Sequence, residues 1–339
     1  MVRWSAATDE VAYEPVDDVE EPSPRRRRNG KLTFLLAVLV LAVLAYGVIR
    51  VLSLENNALL IGAMALTPFV VAGAVILTLL TLVLKRWFLG LVALVVTLSM
   101  ASLLGPRLLA EEQPAAKGPH LRIMAANLYL GQADARTVVN LVKRHKVDIL
   151  TMSELTPIAV SALDSAGLRE ALPHRVFDAR PGGSGSGIAS KLPLRQIVLI
   201  EESSFSQPSA VVDLPGNDDL EITAVHVNPP VTNDSARTWR NELDELPKST
   251  ANKRPRILAG DFNATLDHLA FRNLVDRGYA DAGEETGEGL LATWSSWPTG
   301  PPLTIDHIVT DARCAISSYA VYDLPNSDHR AVMAEVVLP

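Results

Sequence analysis

The chain has 339 residues and one cysteine, Cys314, so it can form no internal disulfide. A soluble domain of about 200 residues buries enough apolar surface to need none, and a single thiol does not decide the redox compartment. The sequence has no Gly-x-x-x-x-Gly-Lys-Ser/Thr stretch, which removes support for a P-loop nucleotide site. It has no Gly-x-Ser-x-Gly elbow either; the run Gly183-Ser184-Gly185-Ser186-Gly187 is a different pattern, read as a flexible loop. No two histidines stand four residues apart. With thiolate ligands also missing, a zinc site is disfavoured.

Apolar residues are in excess, and they are concentrated between residues 32 and 104. Three stretches stand out, at 32–49, 58–84 (interrupted at Pro68) and 88–104. Each approaches the roughly 20 residues needed to cross a hydrocarbon core, and none contains an internal charge. They do not alternate apolar and polar faces as helices of soluble proteins do. A cleaved signal peptide would not explain the second and third stretches. The reading is therefore three transmembrane helices within residues 31–105.

Residues 1–30 hold few large apolar side chains, an acidic stretch over 9–21 and four arginines at 25–28, and read as a disordered cytoplasmic tail. The arginines and Lys31 precede the first span, and Lys85 and Arg86 lie between the second and third. Arg50 is the one base near the first loop. The balance puts the N-terminus inside and everything after Pro106 outside the cytoplasmic membrane. Residues 106–118, with three nearby prolines, read as a semi-rigid tether.

Residues 119–339 read as a domain of interleaved strands and helices. Strands are expected near 121–126, 148–152, 195–201, 209–213, 220–227, 256–259, 305–310, 315–322 and 331–338. Helices are expected near 135–145, 234–246 (capped by Asp234 or Ser235) and 266–275. This order suggests two packed sheets with helices outside them. Asn127, Glu154, His226, Asp261, Asn263, Asp306, Asp328 and His329 fall at or just beyond the ends of these strands, where α/β scaffolds build sites. A lone carboxylate there is usually a solvated turn residue; a succession of them is not. Carboxylates with amides suit magnesium or manganese, which take oxygen ligands together with water and phosphate.

The motifs resemble the endonuclease/exonuclease/phosphatase superfamily. They are Ala125-Ala126-Asn127, Asp148-Ile149-Leu150 leading to Glu154, Ala224-Val225-His226, Gly260-Asp261-Phe262-Asn263-Ala264, Ile305-Asp306-His307 and Ser327-Asp328-His329-Arg330. Their order and spacing fit across essentially the whole soluble domain. The resemblance implies a DNase I-like αββα sandwich with a metal-dependent phosphoesterase site. By resemblance, Glu154 binds the metal with Asn127 and Asp328 in support, Asp261 acts on the attacking water, and Asn263 holds a phosphate oxygen. His329 pairs with Asp306, and His226 faces it across the scissile phosphate. Ser153, Thr304 and His307 depart from residues common in the family, glutamine, arginine and tyrosine respectively. The other histidines (His120, His145, His174 and His268) are read as surface or loop residues, and Trp294 and Trp297 as either substrate edge or core.

Within residues 119–339 there are 20 lysines and arginines against 28 aspartates and glutamates, a net of -8. This disfavours a duplex nucleic acid, which usually meets a basic surface. A domain held against a lipid bilayer meets head groups at high effective concentration. The expected substrate is therefore a lipid-linked phosphate or diphosphate. The layout of tail, three spans and domain is similar to that of membrane-anchored actinobacterial members connected with teicoplanin resistance. The alternatives are an extracellular nuclease and a catalytically idle phosphate-binding module.

Overall fold

The computed structural model describes residues 1–2, 29–216, 219–250, 253–295 and 300–339. The acidic stretch, the four arginines and Trp297 lie outside them. The chain opens with α1 (Gly30–Val51), α2 (Ala58–Met64), α3 (Thr67–Val83) and α4 (Trp87–Leu104). The domain then runs β1 (His120–Asn127), α5 (Ala135–Arg144), β2 (Ile149–Ser153), α6 (Pro157–Ser165), α7 (Leu168–Ala171), β3 (His174–Asp178), β4 (Ser186–Ser190), β5 (Leu194–Ile197) and β6 (Ser209–Val212). It continues with β7 (Leu220–His226), α8 (Asn233–Glu245), β8 (Arg256–Asp261), α9 (Leu269–Val275), β9 (Tyr279–Asp281), α10 (Ala282–Glu285), β10 (Asp306–Asp311), β11 (Ala315–Asp323) and β12 (Arg330–Val337).

Among the described residues two six-stranded sheets form, in the orders β11-β12-β1-β2-β4-β3 and β5-β6-β7-β8-β10-β9. Each is antiparallel except for one central parallel pair, β1 with β2 and β7 with β8. The strands are apolar on both faces because both faces are covered. Ile123, Ile149, Ile222, Ile257, Ile308 and Val336 are among the residues that fill the space between the sheets. Val138, Val142 and Leu163 of α5 and α6 cover the outside of the first sheet. Trp239, Leu243 and Phe271 of α8 and α9 cover the outside of the second. The αββα sandwich expected from the sequence is the observed fold. The cap of α8 is Thr232, not Asp234 or Ser235. Its hydroxyl accepts from Ser235 N at 3.1 Å, and Ser235 Oγ accepts from Thr232 N at 2.9 Å, a reciprocal capping pair.

Register explains where the site lies. Asn127 pairs with Ser153 at the C-terminal ends of β1 and β2, and His226 pairs with Asp261 at the ends of β7 and β8. Antiparallel β10 begins at Asp306 opposite Asp261. One end of the sandwich thus collects residues from far-apart segments. Gly260 makes this edge possible. Its φ is +151°, and a Cβ there would collide with the Val225 carbonyl on the neighbouring strand.

The apolar segment departs from the expectation of three straight spans. Among the described residues, only α1 and the α4 segment reaching Leu108 are long and apolar enough to cross a membrane singly. The middle stretch is broken into α2 and α3, bent by 63°, and counts as a third span only if the bent pair is one unit. Pro68, in the first turn of α3, has no N–H to continue a helix from α2, so the break falls just before it. α2 turns instead onto the soluble domain. Ile61 joins the core beneath α8 and α9, and the Ile61 carbonyl accepts from His268 Nε2 at 2.9 Å.

The connection after α4 is fastened rather than strung between two bodies. Arg107 N–H groups donate to Asp267 at 2.8 and 3.0 Å, Glu111 N donates to Glu285 O, and Gln113 Oε1 accepts from Ile316 N. Arg50, at the end of α1, reaches the same Asp267, donating from Nε and Nη2 at 3.2 Å. All three charged groups are buried.

Candidate active site

Asp261 stands at the centre of the site. Its Oδ1 accepts from Asn263 N at 2.8 Å, and its Oδ2 accepts from Asn127 Nδ2 at 3.0 Å. Two imidazoles approach the same Oδ2, His226 Nε2 at 3.9 Å and His329 Nε2 at 3.8 Å. The Asn127 amide N–H group also reaches Glu154 Oε1 at 3.3 Å, so one side chain bridges the two carboxylates. Asn127 Oδ1 is engaged by Tyr129 N at 2.9 Å, which fixes the direction of the amide. Glu154 Oε2 accepts from Leu130 N at 2.6 Å. Burial raises the Glu154 carboxyl, against the pull of that N–H. Burial and the neighbouring Asp306 also raise Asp261.

The two histidines are driven in opposite directions. His226 is fully enclosed, packs against Phe205 at 4.6 Å between ring centroids, and its Nδ1 has no partner among the described residues. Burial pushes its pKa down to about 4, so the ring is neutral. His329 is also buried, which opposes its charge, but the carboxylates of Asp306 and Asp261 outweigh burial and lift it to about 10. Its Nδ1 is 2.9 Å from Asp306 Oδ2, which orients the ring. A neutral imidazole and an imidazolium thus flank one carboxylate, the imidazolium placed to hold negative charge.

The site is held by local backbone detail. Tyr129, Leu130, Glu154 and Asn263 all have positive φ, between 45° and 56°, a region non-glycine residues seldom occupy. The first two turn their N–H groups towards Asn127 and Glu154. Such strain clusters at functional sites because the surroundings must over-determine it. Ser327 Oγ donates to the Asn127 carbonyl and accepts from His329 N, tying the start of β12 to the end of β1. Asn263 Nδ2 donates to Val227 O at 3.0 Å, which seats the amide on the cavity wall. Asp328 Oδ2 accepts from Trp294 Nε1 at 3.0 Å; its Oδ1 is buried without a hydrogen-bond partner among the described residues.

All eight residues singled out in the sequence are thus brought to one end of the sandwich. The ligand atoms of Asp261, Asp306 and His329, expected to be catalytic, lie within 4.8 Å of one another and could hold a metal ion. Asn127, Glu154 and Asp328, expected as ligands, stand around that trio. The donors are carboxylate oxygens and imidazole nitrogens, and an oxygen-rich set of this kind fits a hard divalent cation.

A cavity of about 890 Å³ opens over these groups. Glu154, His226, Asp261, Asn263, Asp328 and His329 line its floor. Its wall is apolar and comes partly from α2 and the residue after it, with Ala58, Leu59, Ile61, Gly62 and Ala65, and partly from the Pro229-Pro230-Val231 turn. No periodicity in the sequence assigns the broken second apolar stretch to this wall. Trp294 lines the cavity and bonds Asp328, so it is an edge residue. His268, read as a surface or loop residue, is buried against Ile61 and Trp239. Of the three departures from the family pattern, Ser153 donates to Val225 O and so links the two sheets. Thr304 donates to Leu291 O. His307 pairs with Asp281 at 2.8 Å and donates to Ala264 O, a buried structural contact behind Asp261.

A comparison with curated proteins found no match. Among solved structures, a humanized D. rerio TDP2 carrying 14 mutations is similar at 18% identity, with a TM-score of 0.51, over 64% of this chain and 98% of that one. D. rerio TDP2 in complex with a single-strand DNA product is similar at 17% identity and a TM-score of 0.50, over 64% and 98%. An endonuclease/exonuclease/phosphatase from Beutenbergia cavernae aligns at 17% identity and 0.49, over 65% and 72%. At these identities the likeness to the two TDP2 structures speaks for the fold alone. The sequence profile of the Endonuclease/Exonuclease/phosphatase family matches residues 124–329, well over half of the chain and every site residue described above. The chain belongs to the endonuclease/exonuclease/phosphatase family.

Proposed function

We propose that this protein is a membrane-anchored, divalent-metal-dependent phosphoesterase. Its substrate is a lipid-linked phosphate or diphosphate of the cell envelope, met at the outer face of the cytoplasmic membrane. Members of the family are typically hydrolases of phosphate esters. The observation that carries the reading is the convergence of His226 Nε2 and His329 Nε2 on Asp261 Oδ2, beneath a cavity walled by an apolar helix. Asp261 is placed to orient a water. His329, oriented by Asp306, is placed to hold the charge that develops on the phosphorane or to pass a proton to the leaving oxygen. A divalent cation bound at Glu154, with Asn127 and Asp328 beside it, would neutralise phosphate charge and lower the pKa of a bound water.

Orientation has its own support. α1 and α4 both finish on the soluble domain, through Arg50 and Arg107. Lys31, Lys85 and Arg86 therefore sit at the far end of the apolar helices. A basic far end favours the cytoplasm, which leaves the domain outside. The layout also motivates the link to teicoplanin-type resistance through envelope lipids.

The test is a hydrolysis screen of the full chain in lipid nanodiscs with magnesium or manganese. It covers polyprenyl diphosphate, phospholipids, a soluble diester and DNA. Metal-dependent turnover of the lipid phosphates above DNA is expected. Cleavage of DNA alone at low salt would make the protein a nuclease, and no turnover of any substrate would make it a binding module.

A further inference from the structure

The wall of the catalytic cavity contributed by α2 has no role in hydrolysing a phosphate ester. It is apolar throughout, and it is built with care. Asn57 Oδ1 caps the helix by accepting from Leu60 N at 3.0 Å, Ala58 N donates to Asn233 Oδ1 at 3.0 Å, and the Ile61 carbonyl accepts from His268. The contacts of Ala58 and Ile61 fix the first half of α2 to the domain. Ile61 points into the core, 1% exposed, while Leu59 is 79% exposed at the cavity wall. Val231, at the Pro-Pro-Val turn beside the start of α2, is 77% exposed. Two large apolar side chains thus stand in the open at the wall of a cavity whose floor is made of carboxylates and imidazoles. α2 runs into α3 across the 63° bend, so this apolar wall is continuous with the hydrophobic helices that follow.

We infer that α2 and Val231 form the hydrocarbon subsite of the active site. A single acyl or prenyl chain lies along α2 between Leu59 and Val231, over Gly62 and Ala65, with its phosphate at Asp261, His226 and His329. The inference rests on the phosphoesterase reading and narrows its substrate to an ester whose chain leaves the phosphate directly over an apolar wall. The occupant is committed by three observations: continuity of the wall with the catalytic floor, continuity of α2 with the apolar helices, and the net -8 of the soluble domain, which does not suit a polyanion. α2 has seven residues, so the wall is about 10 Å long and contacts the part of the chain nearest the phosphate. Small residues at Ala58, Gly62 and Ala65 let a chain lie against the helix backbone. Each methylene buried there strengthens binding about fourfold.

The test uses the full chain in nanodiscs of neutral lipid. Hydrolysis of p-nitrophenyl octyl phosphate is compared with that of p-nitrophenyl ethyl phosphate, for wild type, Leu59→Glu and Val231→Glu. Both substitutions are at exposed positions, so the fold is retained. Partition of the octyl ester into the bilayer is the same for all three proteins and cancels. The octyl-to-ethyl ratio of kcat/KM is expected to fall about tenfold in each variant. In parallel, an octylphosphonate with a terminal diazirine is photocrosslinked to wild type and to Leu59→Glu. Label on residues 58–65 and 229–231 of wild type, reduced in the variant, is expected. An unchanged ratio in both variants, or label confined to α1, α3 and α4, overturns the subsite. If neither ester is hydrolysed but the label maps to α2 and Val231, the phosphoesterase reading falls and the subsite stands.

Discussion

Arg50 donates to Asp267 from both Nε and Nη2 at 3.2 Å, across 217 positions of sequence. Arg107 holds the same carboxylate from the end of the fourth helix. One buried aspartate therefore closes two apolar helices onto the catalytic domain. Removing it leaves two guanidinium groups buried without their partner, a change that typically costs about 3–5 kcal/mol. Asp267→Ala is expected to lower the melting temperature of the full chain and to open residues 105–118 to protease. Wild-type melting and wild-type proteolysis would show that the contact contributes nothing.

This contact also marks the limit of what sequence could tell. The strands of the sandwich are legible because both faces are largely buried and the short runs are mostly apolar, as in β1, β2 and β8. The site is legible because β-structure delivers its residues at strand ends, and Gly260-Asp261-Phe262-Asn263 follows its strand with no gap. Arg50 instead reads in the sequence only as a base at the end of the first span, because its partner Asp267 is distant in sequence. The break after Met64 was signalled by Pro68, but the direction in which α2 turns depends on His268 and Asn233, which no local pattern connects to it. Short elements such as β9 and α10 carry too few residues to show a period.

The docking of α2 makes a second prediction, in pH. His268 Nδ1 accepts from Thr265 N, so Nε2 must carry the proton donated to Ile61 O, and the ring is neutral. Burial depresses its pKa from 6.5 to about 4, with Asp267 opposing and Arg272 and Arg50 assisting. For a group depressed on folding, the stabilisation is present above the unfolded value and is lost as pH falls through the folded one. Stability should therefore decline between pH 6.5 and about 4. His268→Gln keeps a donor for Ile61 O but does not titrate. Its melting temperature should fall less steeply than wild type over that window, and identical slopes would remove His268 from the account.

Metal binding is expected to depend on Glu154. Its carboxylate and that of Asp261 meet at one Asn127 amide, and burial disfavours ionising both without a cation. Isothermal calorimetry with magnesium or manganese should show binding to wild type that is lost in Glu154→Ala. Equal binding by the two proteins would move the metal to the Asp261, Asp306 and His329 group.

The sharpest prediction concerns His329 and Asp261. Both are buried, yet neither packs as a core residue: His329 is held through Nδ1 by Asp306, and Asp261 through Oδ1 by Asn263 N. His329 Nε2 and Asp261 Oδ2, the latter also bonded by Asn127 Nδ2, lie 3.8 Å apart beside the cavity. If His329 acts on the phosphorane or the leaving oxygen, His329→Ala should lower kcat about 10² to 10⁴-fold. Asp261→Asn keeps the shape and the contact from Asn263 N but removes the charge that orients water, so its loss should be at least as large. A purely structural role predicts otherwise, because activity would then fall only in step with the folded fraction. Melting curves recorded beside the rates separate the two. A well-folded His329→Ala protein with full activity would end the catalytic assignment, whereas a folded, inactive Asp261→Asn that still binds metal at Glu154 would place Asp261 on the water rather than on the ion.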